Sequence, residues 1–220
     1  MTETMDQDPR STLTTIIPAY NEAEHVATVI RAAQRANLGD VLVVDDGSED
    51  NTADVARAAR AKVLVLPENR GKGGAVLAGA KHIDSDVVML LDADLIGLET
   101  WHLRALADPV LNHEARMTRG VFTGGRWSTT AAQTLSPQLS GQRVLPRKDL
   151  LVMDLDDARY GIEVAITKYA KAHDWNTLDV ELEDVSQVMK EEKRGVWHGL
   201  GVRAKMYGDI IRAAFRRGAK

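Results

Sequence analysis

The sequence predicts an α/β domain with a mostly parallel central sheet, doubly wound so that helices cover both faces. Three observations predict it. Short runs rich in apolar and β-branched residues, Leu13–Pro18, Val41–Val44, Lys62–Leu66 and Asp86–Leu91, alternate with segments whose apolar residues recur at helical spacing. Val41–Val44 and Val87–Leu91 are too uniformly apolar to leave one face wet, which is how strands covered on both sides look. The β-α-β alternation itself implies parallel strands joined by right-handed crossovers.

Each element follows from local chemistry. Met1 to Arg10 is polar and lacks the apolar core of a signal peptide, so a flexible N-terminus is expected there. The first strand, Leu13-Thr14-Thr15-Ile16-Ile17, is stopped by Pro18. A helix then carries Val26, Val29, Ile30 and Ala33 on one side, and Asn21 followed by Glu24 has the spacing of a cap. The strand at Val41 ends in Asp45-Asp46-Gly47-Ser48, after which a helix from Thr52 to Ala61 leads into strand Lys62 to Leu66. A loop through Gly74, a helix to His82 and strand Asp86 to Leu91 complete the series.

Beyond Asp94 the rhythm loosens. The pattern gives a helix over Thr100 to Leu111 containing Pro109, a strand over Gly120 to Gly125, and loop or short helix from Ser128 to Gly141. Helices are expected at Pro146 to Val152 and Gly161 to His173, a strand at Leu178 to Leu182, and a last helix from about Val202. No stretch rich in Pro, Gly or Ser marks a boundary, so 11–220 is expected to be a single domain.

Composition narrows the function. The net charge of −4 offers no broad basic surface, so nucleic acid is not expected as a partner. The absence of cysteine excludes disulfides, thiolate metal sites and a cysteine nucleophile, and it fits a cytoplasmic setting. No run approaches the roughly twenty apolar residues of a membrane-spanning helix.

The chemistry gathers at strand ends, where open α/β sheets bind ligands. The last strand delivers Asp92-Ala93-Asp94, a carboxylate pair suited to holding a divalent cation against a diphosphate. The other strands end in Pro18-Ala19-Tyr20-Asn21-Glu22, Asp45-Asp46-Gly47-Ser48 and Pro67-Glu68-Asn69-Arg70-Gly71-Lys72-Gly73-Gly74. Together they offer an aromatic and a carboxylate for a base, main-chain amides with Lys72 for phosphate, and aspartates for a metal. A Rossmann dinucleotide site would need Gly-x-Gly-x-x-Gly where this chain has Pro-Ala-Tyr-Asn-Glu, and a P-loop would need Ser or Thr after Lys72.

Ile17-Pro18-Ala19-Tyr20-Asn21-Glu22, Val44-Asp45-Asp46-Gly47-Ser48 with Asn51-Thr52, Asn69-Arg70-Gly71-Lys72-Gly73 and Leu91-Asp92-Ala93-Asp94 resemble, in order and spacing, the motifs of family 2 glycosyltransferases with the GT-A fold. The resemblance implies a nucleotide-sugar-binding half over 11–98 and an acceptor half over 99–220. It implies a donor site built from Pro18, Ala19, Tyr20, Glu22, Asp46, Gly71, Lys72, Asp92 and Ala93. Tyr20 and Glu22 would line the nucleoside pocket, Asp46 would accept a hydrogen bond from the base, and Lys72 would neutralise diphosphate. Asp92 would approach the sugar or ribose, and Asp94 would coordinate Mg²⁺ or Mn²⁺. UDP- and GDP-sugars both fit this description.

In the acceptor half, Leu139-Ser140-Gly141-Gln142-Arg143, Tyr160-Gly161-Ile162-Glu163 and Leu200-Gly201-Val202-Arg203-Ala204 are similar to elements of a branch containing glucosyl-3-phosphoglycerate synthases. Two positions depart from it. Gln142 replaces an acid, and Lys205 stands where that branch has a histidine able to ligate metal, which leaves His198 as the metal-ligand candidate nearby. The dolichyl-phosphate mannose synthase-like group shares the amino-terminal motifs and transfers sugar to a polyprenyl phosphate. From Arg203 to Lys220 the chain has six basic residues and one acidic, beside the apolar Met206, Ile210, Ile211 and Phe215, a composition suited to peripheral contact with a membrane surface. A solvated helix covering the sheet would look much the same, so both acceptor types stay open.

The resemblance implies inversion at the anomeric carbon by direct displacement, with a metal on the departing diphosphate and Lys72 or Arg143 adding positive charge. A hydroxyl acceptor needs a general base, whereas a phosphate acceptor is already charged. Asp154, Asp156, Asp157 and Glu163 are the available carboxylates, and Glu163 is preferred because it falls in a matching motif. The competing readings are a sugar-phosphate nucleotidyltransferase, which usually opens with a glycine-rich loop absent from Pro18 to Glu22, and a non-catalytic nucleotide-sugar-binding module.

Overall fold

A computed structural model describes residues 12–123, 140–153, 155 and 161–187. The N-terminal tail, Ser128 and its neighbours, Asp154, Asp156, Asp157, Tyr160, His198, Lys205 and the basic C-terminal segment lie outside the described residues. Four strands, β1 (Leu13–Ala19), β2 (Asp40–Asp45), β3 (Lys62–Val65) and β4 (Val87–Leu90), alternate with helices α1 (Val26–Ala36), α2 (Thr52–Ala58) and α3 (Gly71–His82). The short β5 (Leu95–Ile96), α4 (Thr100–Leu111), β6 (Met117–Thr123), β7 (Arg143–Pro146), α5 (Arg147–Val152), α6 (Ile162–Ala172) and β8 (Thr177–Glu183) follow.

Seven strands form one sheet in the order β3-β2-β1-β4-β7-β6-β8. Pairs β1–β2, β1–β4, β2–β3 and β6–β8 are parallel, and only β7 runs against its neighbours β4 and β6. The two-residue period of the strands sorts the core. Ile17, Val43 and Met89 face the cluster that holds Val29 and Ile30 of α1 and Leu103 and Leu106 of α4. Ile16, Leu42, Val88 and Leu90 face the opposite cluster, with Val76 of α3, Leu150 of α5 and Ile166 of α6. Each of these fully buried side chains contributes about 1.5–3 kcal/mol relative to exposure. Helix α3 comes close to the sheet at Gly79, where a Cβ would lie 2.8 Å from Val44 Cγ2, so a larger residue would push α3 off the sheet.

Three expectations need correction. Asn21 does not cap α1, which begins only at Val26; Asn21 instead has φ 54° and its side chain accepts a hydrogen bond from the Glu49 amide at 2.8 Å. The helix expected after Gly74 begins at Gly71, which places Lys72 in its first turn. The glycines lower intrinsic helicity there, but packing of Ala75, Val76 and Ala80 against the sheet overrides it. Strand β7 has no counterpart in the sequence pattern, because four residues containing Arg and Pro carry no period; pairing with β4 (Leu90 opposite Arg143) and β6 creates it.

Candidate functional site

Parallel pairing brings the carboxyl ends of β1, β2, β3 and β4 to one edge of the sheet. The loops leaving that edge are tied to each other in sequence. Asn21 N donates to Ser48 Oγ at 3.0 Å and Glu22 N to Thr52 Oγ1 at 2.8 Å, joining the first loop to the second. Asp45 Oδ1 accepts from Ser48 N at 2.9 Å and closes that second turn, whose Gly47 has φ 71° and passes against the backbone of Glu68 and Asn69. Arg70 N donates to Asp46 Oδ1 at 2.8 Å, joining the second loop to the third. Lys72 Nζ pairs with Asp92 Oδ1, joining the third to the fourth.

Within this frame Tyr20 is exposed, Pro18 and Glu22 are half-buried, and Ala19, Asp46 and Ala93 are buried. Burial raises the Asp46 carboxyl above its ordinary value, although the amides of Arg70 and Gly71 bond to the charged form and partly counter this. Asp46 therefore both shapes the start of α3 and keeps a carboxylate at the base of the rim. Gly71, at φ 74°, has no heavy atom near the place of a Cβ, so the first turn of α3 presents open backbone as well as Lys72.

Lys72 is the centre of charge. Besides Asp92 it meets Glu163 of α6, Nζ to Oε1 at 2.5 Å. Its side chain is 34% exposed, against 14% for Asp92 and 13% for Glu163, while the ammonium at its tip is enclosed by the two carboxylates. Burial by itself would lower the lysine pKa, but the two carboxylates more than offset it and hold Lys72 charged, well above its ordinary range. Glu163 sits in the first turn of α6 just after Gly161, whose φ is 98° and whose Cβ would lie 2.8 Å from Glu163 Oε2.

The remaining Asp92 oxygen, Oδ2, accepts from Gln142 Nε2 at 3.0 Å. Gly141 lies over the pair: a Cβ there would stand 2.5 Å from Lys72 Nζ and 2.6 and 2.7 Å from the two Asp92 oxygens. Along the sequence Gln142 stands out only as a departure from the related branch, and nothing there marks a role for Ser140 or Gly141 beyond a glycine that follows no turn pattern and sits inside a polar motif.

Arg143 is placed differently from the expectation of a residue at the leaving diphosphate. It is fully buried; Nε donates to the Ser140 carbonyl at 3.1 Å and Nη1 lies 4.0 Å from Met117 Sδ. Burial pushes its pKa down to about 10; the Glu163 charge opposes that shift and Arg119 adds to it. The physical reason is β7 itself, which is flanked by β4 and β6 and leaves this side chain inside. It supports the Ser140 carbonyl and lies close enough to Glu163 for their charges to interact.

Asp94, half-buried, stands in the turn after Asp92. The resemblance implies Asp94 as the ligand of Mg²⁺ or Mn²⁺, and a carboxylate is the hard oxygen donor those ions take. Among the described residues no three His, Cys, Asp or Glu side chains gather into a metal cage.

The chain is similar to known proteins. Residues 14–165 match the model of glycosyl transferase family 2. The undecaprenyl-phosphate 4-deoxy-4-formamido-L-arabinose transferases of Salmonella paratyphi B and Salmonella newport are each 34% identical over 101 residues, covering 41% of this chain and 31% of theirs. The chain thus aligns with about a third of the length of those relatives. Among solved structures, glucosyl-3-phosphoglycerate synthase of Mycobacterium tuberculosis in complex with Mn²⁺, UDP and glucosyl-3-phosphoglycerate superposes with a TM-score of 0.68 at 21% identity, covering 81% of this chain and 72% of that one. The same enzyme with Mg²⁺ and UDP gives 0.68 at 22%, with the same coverage. The fold is therefore that of the GT-A glycosyltransferases, as the motifs imply. With its four strand-end motifs on one rim and the family model spanning more than half its length, the chain belongs to glycosyl transferase family 2.

Proposed function

We propose that this chain moves a hexose from a nucleoside diphosphate sugar to a phosphorylated acceptor, with inversion and with Mg²⁺ or Mn²⁺. The observation that carries the reading is the Lys72 ammonium held between Asp92 and Glu163, one carboxylate from each half of the domain. Tyr20, Glu22 and Asp46 bound the nucleoside end, and Lys72 with the first turn of α3 receives the diphosphate. Asp92 orients the sugar, and Asp94 would hold the metal, which supplies Lewis-acid stabilisation of the leaving diphosphate. Glu163 orients the acceptor and, where the acceptor is a hydroxyl, takes its proton. Arg143 adds buried positive charge beneath the rim.

The donor is a UDP-sugar by similarity to the structures with UDP, and the acceptor carries phosphate by similarity to both kinds of relative. No helix among the described residues is long and apolar enough to cross a membrane. A lipid-linked acceptor would have to be met at the membrane surface, and the basic C-terminal segment suits that contact.

The test pairs binding with turnover. Mn²⁺-dependent stabilisation by UDP in a thermal shift should be present in the native chain and lost in Asp94→Ala, because a ligand that binds only the folded state raises Tm by mass action. UDP-glucose should then be consumed with either 3-phosphoglycerate or undecaprenyl phosphate. Undiminished transfer by Asp94→Ala removes the metal role, and release of pyrophosphate from a nucleoside triphosphate would replace this reading with nucleotidyl transfer.

A further inference from the structure

The Ser140-Gly141-Gln142 segment enters the donor site from the acceptor half, and its one side chain touching the Asp92–Lys72 pair is a buried amide. Gln142 is fully buried. An ionised Asp92 only accepts hydrogen bonds, so the amide must turn its NH₂ toward Asp92 Oδ2, at 3.0 Å. That leaves Oε1 toward Ser140, whose hydroxyl donates to it at 2.8 Å. The direction of every bond in the chain Ser140, Gln142, Asp92 is thereby fixed.

The backbone enforces the same arrangement. Gln142 O accepts from Gly120 N at 2.9 Å, and a Cβ at Gly120 would lie 3.1 Å from Gln142 Cβ and 2.5 Å from Leu182 Cδ1. Gly120 thus makes the room in which Gln142 sits. Beside it, Gly141 lets the backbone pass close over Asp92 and Lys72, where a Cβ would collide with both. A glutamate at 142, the acid that the related branch carries there, could donate to Asp92 only with its own carboxyl protonated.

We propose that Gln142 is a positioning residue of the transfer site, holding the Asp92 carboxylate in one orientation so that its other oxygen stays on Lys72 and its edge faces the donor sugar. This rests on the transferase reading above. Gln142 acts through Asp92 and touches no substrate itself. Its influence therefore falls on the sugar-bearing part of the donor rather than on the nucleotide.

The experiment compares the native chain with Gln142→Ala, Gln142→Glu, Ser140→Ala and the Ser140→Ala/Gln142→Ala pair, using UDP and UDP-glucose with Mn²⁺ as probes and measuring Kd, kcat and KM. Gln142→Ala should keep UDP affinity within about twofold and lose roughly tenfold to a hundredfold in kcat, the scale set by one hydrogen bond to a charged group. Ser140→Ala should show a smaller loss of the same kind, and the double variant should be no worse than Gln142→Ala, since both residues act along one chain. Gln142→Glu, closest in shape and the acid of the related branch, should recover kcat as pH falls and its carboxyl takes up the proton it would donate to Asp92; a loss unchanged across pH would count against the hydrogen bond. Native kcat in Gln142→Ala overturns the proposal, as does a loss in which UDP affinity and Tm fall in step with kcat, the mark of a merely structural role. If the native chain binds UDP yet transfers no sugar, the transferase reading fails separately; the ratio of UDP to UDP-glucose affinity then decides, and an unchanged ratio in Gln142→Ala overturns the role of Gln142.

Discussion

Lys72 Nζ meets Glu163 Oε1 at 2.5 Å, an ion pair between residues 91 apart in the chain that joins the first turn of α3 to the first turn of α6. Before any ligand arrives, the cation expected to receive the diphosphate is thus shared by two carboxylates. On the proposed function, a diphosphate would compete with Glu163 for it and release the carboxylate proposed to orient the acceptor.

Replacing Glu163 should therefore separate binding from turnover. Glu163→Gln should bind UDP as tightly as the native chain or up to about tenfold more tightly, because Lys72 loses one of its two carboxylate partners among the described residues. Transfer to a hydroxyl acceptor should fall by about 10²–10⁴, the usual contribution of a positioned base. Calorimetry with UDP and initial rates check both, and clearly weaker UDP binding would mean that Glu163 holds Lys72 in place rather than restraining it.

Gly141→Ala should damage the site more than the fold. The added methyl would stand 2.5 Å from Lys72 Nζ and 2.6 Å from Asp92 Oδ2, and Asp92 is held from two sides. Overpacking of this kind costs about 1–3 kcal/mol, or roughly 2–12 °C in Tm for a chain of this size. UDP-glucose turnover should drop by about a hundredfold or more; a variant with native kcat would show that the lysine tail simply steps aside.

Asp46→Asn should trade function for stability. Burial raises the Asp46 carboxyl, so the folded state binds its proton more readily than the unfolded chain does. Stability from this group is accordingly lost as pH rises from the ordinary carboxylate value through the raised one, leaving a penalty at neutral pH. Asparagine keeps an oxygen for Arg70 N and carries no charge, so Tm at pH 7 should hold or rise while nucleotide affinity weakens by about tenfold. A fall in Tm at pH 7 would overturn the account.

His102 gives the fold an acid limit. Its Nδ1 accepts from Glu99 N at 3.0 Å, which leaves Nε2–H to donate to Glu183 O at 3.0 Å and ties α4 to β8 with a neutral ring. Burial lowers its pKa below 6.5, against the opposing pull of the Glu183 carbonyl and nearby acids. The stabilisation is complete above about pH 6.5 and is lost as pH falls from there through the lowered folded value. Tm measured from pH 7.5 to 5 should decline, and His102→Gln should flatten that slope; an identical slope in the variant would assign the acid limit elsewhere.

Much of the donor half was legible because its signals are local. Apolar runs such as Val41–Val44 and Val87–Leu90, and turn chemistry such as Asp45-Asp46-Gly47-Ser48, act within a few residues, so periodicity and composition reveal them. The acceptor half was less legible. Strand β7 exists only because β4 and β6 flank it, and the start of α3 at Gly71 is decided by packing on the sheet against the low helicity of its glycines.

By itself the sequence determined the alternation of elements, the edge of the sheet on which ligands belong, and the oxygen, amide and ammonium groups gathered there. Tertiary structure alone decided how those groups are shared: Lys72 between Asp92 and Glu163, Gln142 as the donor to Asp92, and Arg143 beneath the rim rather than on it. Hydrogen bonds and charge pairs reach only a few ångströms, and these join residues 50 and 91 positions apart, so no pattern along the chain can state them before the chain is folded.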